Sequence, residues 1–238
     1  LTFNLDKKLI NIKNDKIKLC SELNYQESLN LHPDNFKEFD LSVKIHEMRR
    51  WRRIILEEEI IRTSLEWTHF YNNKRRVKSS FEVIIKPNLK CLVLADIRVH
   101  GDMRDHRRGS GLPSLNVKLT DGHIFGIVDF ILFRPITRNF DNEIFATTLF
   151  RELGLLAPRS SNVKVHYNNQ ASNFIFQEKI VKEFLENSSL RESAIYEGDE
   201  RFIAYDSLDQ INLSRHRLIN RKWAEKEMSN QFISETAL

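Results

Sequence analysis

Cysteine is scarce in this 238-residue chain, which holds only Cys20 and Cys91. They lie far apart and fit no CxxC or Cys/His ligand spacing, so neither a zinc site nor a disulfide framework is indicated, and the balance leans towards a reducing compartment. No run of about 18 uncharged apolar residues exists. The longest candidate, HIFGIVDFILF, is interrupted by Asp129 and has the length of a strand, so no membrane span is expected. A charged-then-apolar secretion signal is lacking, and the chain opens on Leu1 rather than Met, which leaves room for a signal or anchor upstream. Charge of one sign is not in large excess: 37 Lys and Arg against 33 Asp and Glu give +4. That balance permits an anionic ligand without demanding nucleic acid, and no nucleic-acid partner is expected. Walker and GxGxxG spacings, internal repeats and low-complexity tracts are missing as well.

What is present suits a folded chain, with 41% hydrophobic and 29% charged residues. Residues 1–40 are rich in Asn, Lys and Asp, and only KLINIK suggests a strand. From Ser42 to Tyr71 the spacing predicts one long helix, with Met48, Trp51, Ile55, Ile61 and Leu65 along one face. Strands are predicted at 81–86, 91–100, 114–119 and 124–133, with Asp121-Gly122 as a hairpin signal between the last two. Residues 139–153 read as a helix capped by Asn139 and stopped by Gly154, with Phe140, Ile144, Leu149 and Leu153 as its buried face. A second hairpin, 162–167 and 173–178, crosses NNQAS, and VKEFLEN starts another helix. The order is that of an α+β fold, an antiparallel sheet with packed helices. The last residues keep helical spacing with no stop signal, so the sequence reads as a fragment at both ends.

The segment IRVHGDMRDHRRGSGLPSLNVKL, 97–119, places charged side chains and two glycines between strands. Gly109 and Gly111 in so basic a loop fit either phosphate binding through unobstructed backbone N–H groups or a solvated hairpin loop. Lys118 alternates away from Leu115, Val117 and Leu119, as a phosphate ligand or as an exposed strand lysine. Glu178 stands where a carboxylate also stabilises a helix N-terminus. Arg134 and Arg138 flank a helix entry, where cations oppose the helix dipole unless an anion or acid joins them. His100, His106, His123 and His166 are spread over four elements and do not suggest a metal cluster. MRRWRR and NNKRRVK interleave bases with nearby tryptophans, but the EEE run at 57–59 breaks any continuous basic stripe.

Taken in order, RVHGDMRDH, SLNVKLTDGHIFG, FRPITRNFDNEIFATTLFRELGLLAPR, VKVHYNN and FIFQEKIVKEFLE resemble the amino-terminal half of the spore-coat-protein-H-like (CotH) atypical kinase family, over about residues 90 to 205. The resemblance implies the nucleotide-binding lobe of an atypical protein kinase, with ATP and Mg2+ or Mn2+ as cofactors. A nucleotide and a protein substrate would be its partners, with phosphoryl transfer to Ser or Thr. Arg98 and Gly101 match the family's Arg-Gly turn, Lys118 and Leu119 its basic strand end, and Glu178, Lys179 and Ile180 its EQI-like element. Arg98, Gly109, Gly111, Lys118, Arg138 and Glu178 are then the nucleotide-binding candidates, with Glu178 orienting Lys118. Two departures stand out. Pro113-Ser114 replaces the family's lysine pair, and the second-lobe Asp-x4-Asn and paired-Asp elements are missing, so no catalytic residue is assigned and the catalytic half would lie beyond Leu238. The implied organisation is an extension at 1–80, a lobe at 81–205 and a helical segment at 206–238. The alternative is a non-catalytic α+β module of the same fold, for protein interaction or structural assembly.

Overall fold

Alternation of apolar and polar residues carries the chain around a closed barrel. The computed structural model describes residues 17–36, 38–64, 75–85, 89–101, 104–107, 111–198 and 216–219. Seven strands follow one another: β1 (Asp40–Ile45), β2 (Val77–Ile85), β3 (Leu89–Val99), β4 (Leu115–Leu119), β5 (Asp129–Phe133), β6 (Ser160–Tyr167) and β7 (Gln170–Glu178). Their order around the barrel is β1-β2-β3-β4-β5-β7-β6, closed by a parallel seam in which Asp40, Leu41 and Ser42 of β1 pair with Lys164, Val165 and His166 of β6. The pairs β1·β2, β2·β3, β3·β4, β4·β5 and β6·β7 are antiparallel.

This architecture corrects the expectation of an α+β kinase lobe, an antiparallel sheet with packed helices. The sheet is mixed and closes on itself, and the helices among the described residues are few. The strand that makes closure possible is β1, which the sequence hid inside the predicted 42–71 helix. Val43 and Ile45 fit the helical spacing of the residues after them, yet with Leu41 they alternate, all three buried. The helix starts only at Met48. Closing the wall removes two sheet edges whose unpaired N–H and C=O groups would otherwise need cover.

Inside, the barrel is packed with apolar side chains. Phe130 meets Phe176 at 4.5 Å and Phe81 edge-on at 6.0 Å, while Phe36 and Phe39 pack against both Phe176 and Phe125. The segment before β1 contributes too. It carries the single turn α1 (Tyr25–Ser28), and its Leu31 is buried in the same core. Leu19 bridges Leu92 of β3 in parallel, which brings Cys20 to Cys91, and the two form a disulfide. The reading that no disulfide is indicated is therefore corrected. Spacing could not disclose the bond because a residue outside the seven strands lies alongside β3 only after folding. Disulfides persist chiefly in oxidising compartments, which also removes the argument for a reducing one.

Outside the barrel, α2 (Met48–Ser64) buries Trp51 and Ile54, with Met48 and Ile55 packed against the core. Ile61 and Leu65, the rest of the predicted face, lie outside the residues whose side chains are described, as does KLINIK. Between β4 and β5 the chain does not make a two-residue turn at Asp121-Gly122. It runs through a small loop in which Ile124 and Ile127 exchange backbone hydrogen bonds at 3.0 and 2.9 Å. The β6–β7 hairpin is tighter than NNQAS suggested: Tyr167 pairs with Gln170, and Asn168 and Asn169 alone turn the chain, at φ 50° and 60°.

The chain divides into two units, Leu1–Gln177 and Glu178–Leu238. In the second, the short α4 (Lys182–Asn187) buries Phe184 and Leu185 with Ile195, and β8 (Tyr196–Gly198) pairs antiparallel with β9 (His216–Leu218). Nearly all of the predicted terminal helix at 206–238 lies outside the described residues.

Candidate functional site

The glycine-bearing loop after β3 folds back on the barrel in the part that is described. The His100 N–H donates to the Ser114 carbonyl at 2.8 Å, the Ser114 N–H to the His106 carbonyl at 2.8 Å, and the Arg134 N–H to Ser114 Oγ at 3.0 Å. Gly101 sits at φ +84°, and a Cβ there would lie 2.1 Å from the His106 ring, so only glycine lets that ring settle. His100 and His106 meet at 5.5 Å, and His100 meets the outward-facing Phe133 at 5.1 Å. Arg138 lies 4.2 Å over the same Phe133 ring and 3.9 Å from the Glu143 carboxylate. The Arg107 side chain is 8% exposed and pairs with Glu59 of α2 at 2.7 Å, while Arg134 donates to the Asp105 carbonyl. Arg107, Arg134 and Arg138 are thus engaged by acids, a carbonyl and a ring of the protein itself, while the side chains of Arg104 and Arg108 lie outside those described. Gly109 lies outside the described residues, and Gly111 is exposed at φ +128°.

Lys118 and Arg98 sit on the outer face of adjacent strands. Lys118 is exposed, and its cross-strand partners are both acidic: Asp96 on β3 and Asp129 on β5. Lys78 of β2 faces Asp96 in turn, at 3.0 Å. Four strands therefore carry one row of alternating sign, Lys78-Asp96-Lys118-Asp129, which is the favourable cross-strand arrangement. Beside it, Arg76 donates to the Asp96 carbonyl at 2.7 Å and to Asn116 Oδ1 at 2.6 Å. Glu178 ends β7 with the parity of the core residues Phe174 and Phe176, not that of an outer-face residue. It is buried and accepts from Asn187 Nδ2 at 3.4 Å. Of the nucleotide-binding candidates, then, Arg98 and Lys118 share a face, Arg138 stacks on Phe133, and Glu178 has inward parity.

The feature the sequence did not disclose lies on α3 (Asn142–Glu152). Its periodicity is helical and Gly154 ends it at φ +76°, with the Leu155 N–H returning to the Phe150 carbonyl at 2.8 Å. The start differs from expectation: Asn139 and Phe140 are left-handed, and the cap position falls to Asp141. The larger correction concerns its face. Phe140 is 62% exposed, Phe145 70%, Leu149 42%, Phe150 47% and Leu153 65%, and of the predicted face Ile144 alone is half-buried. The one fully buried residue of the helix is Thr147, whose hydroxyl returns to the Glu143 and Ile144 carbonyls. Glu143 accepts from Gln177 of β7 at 2.5 Å, and Asp141 from Asn162 of β6 at 2.9 Å. The helix is anchored by its polar side and turns its apolar stripe outward, the reverse of the usual amphipathic arrangement. Exposed Leu155 and Leu156 prolong the stripe.

Next to the start of α3 a cleft of about 450 Å³ opens over the β1–β6 seam, lined by Glu38, Asp40, Asp141 and Lys164 with Pro135 and Phe140. Among the described residues no group of three His, Cys, Asp or Glu side chains is placed to hold a metal ion. No helix among them is long and apolar enough to cross a membrane. No family model matches the chain, and no curated protein matches it.

Proposed function

We propose that this chain is a non-catalytic interaction or assembly module whose contact surface is the outward stripe of α3. The observation that carries this reading is the inversion of that helix: five large apolar residues from Phe140 to Leu153 stand in water while Thr147 and Glu143 face the barrel. Monomeric proteins rarely expose contiguous apolar surface on this scale without a partner for it. The barrel, with Phe81, Phe130 and Phe176 packed in its core, supplies a rigid support for such a surface. A photo-crosslinking residue placed at Phe145 should give a defined protein adduct in cells, absent when the same residue is placed at Lys118 and lost on adding Leu149→Glu. ATP-dependent phosphoryl transfer by a longer chain, with Mg2+ or Mn2+, rests on the sequence resemblance alone. ATP binding that disappears in Lys118→Ala, together with no adduct at Phe145, would favour it over the interaction module.

A further inference from the structure

Resting on that reading, we infer that the α3 stripe is a self-association surface, and that its occupant is α3 of a second copy of this chain in antiparallel orientation. Area supports it first. With about 200 Å² for a large apolar side chain, the exposures of Phe140, Phe145, Leu149, Phe150, Leu153, Leu155 and Leu156 amount to roughly 800 Å². That is about the area one partner contributes to a stable interface of standard size.

Spacing supports it second. Phe145, Leu149 and Leu153 recur at i, i+4 and i+8, so the stripe is nearly symmetric about Leu149. A twofold axis there sets Leu149 against its own copy and Phe145 against Leu153, which is the self-complementarity an isologous interface requires. Ala146, on the same side, is small enough to let the two helices approach closely.

Charge supports it third. A surface that binds its own copy meets its own charges, and the stripe from Phe145 to Leu153 carries none along its centre; Glu152 stands at one edge. In the antiparallel pair the two Glu152 carboxylates fall at opposite ends, about 9 Å apart along the helix axis, which is beyond a Debye length at physiological salt. A parallel pair would put them side by side.

Sedimentation equilibrium of the purified chain, with its disulfide intact, tests the inference. The chain should form a concentration-dependent dimer, and Leu149→Glu should weaken association about tenfold or more. Phe145→Lys should do the same, with the far-ultraviolet circular dichroism of both variants matching the parent's. Both native cysteines are used in the disulfide, so in Leu149→Cys the new thiol is the only free one, and mild oxidation should join two chains covalently. A dimer that both charge variants leave intact, or that Leu149→Cys does not lock, overturns the inference. A monomer at every concentration, with a photo-adduct from Phe145 to a different protein, overturns the second copy but leaves the interaction surface standing. A monomer with no adduct overturns both.

Discussion

Lys118 shows how a residue's meaning depends on its cross-strand neighbours. Its outward direction follows from the period of two in SLNVKL, but the two carboxylates beside it come from residues 96 and 129, on neighbouring strands. Replacing Lys118 by Glu sets three carboxylates in consecutive register, and chemical denaturation should record a loss of about 1–2 kcal/mol, partly restored by adding Asp129→Asn. His46 gives a second prediction at this scale. Its ring reaches Ser80 Oγ at 3.0 Å, and burial first, then the charge of Lys44, lowers its pKa below the ordinary 6.5. As pH falls below 6.5 the unfolded chain takes up this proton before the folded one, so stability declines until the folded ring also protonates. The melting temperature should therefore drop on acidification through that window. His46→Gln should reduce the slope, and an unchanged slope would show that the burial of this ring is not what drives it.

Among the elements, the β6–β7 turn is the most local, and both of its central residues lie at positive φ. Asn is tolerated there and Gly is preferred, so Asn169→Gly should raise stability slightly while Asn169→Ala costs about 1 kcal/mol, read from the midpoint of a urea transition. The hairpin was legible because its signal lies within the turn itself. α3 was legible as a helix for the same reason, through its spacing and Gly154. Its buried face was not. An apolar stripe normally faces the core, and nothing within 139–153 reveals that Gln177 and Asn162, contributed by later strands, hold the polar side instead. β1 failed in the opposite way: four residues of alternation, SVKI, preceded a strong helical pattern and were absorbed into it.

For the whole molecule, the Cys20–Cys91 bond ties the segment before β1 to the third strand across 71 residues of sequence. Reduction should cost about 4 kcal/mol on the chain-entropy account of a loop of that length. Differential scanning calorimetry with and without reductant should show a fall of about 10 °C in melting temperature. A shift of only a degree or two would mean that Leu31 and the aromatic cluster hold the N-terminal segment without the covalent link.

The sequence by itself determined which short stretches alternate, where the β6–β7 turn and two helices lie, and that Lys118 points outward, because each of these depends on neighbours within a few residues. Only the tertiary structure decided that the sheet closes through β1 and β6, that Cys20 meets Cys91, that the row from Lys78 to Asp129 alternates in sign, and that α3 turns its apolar side to solvent. Those outcomes join residues tens of positions apart. Their energies reside in register, closure and burial, quantities that are defined between strands and have no value along a single one.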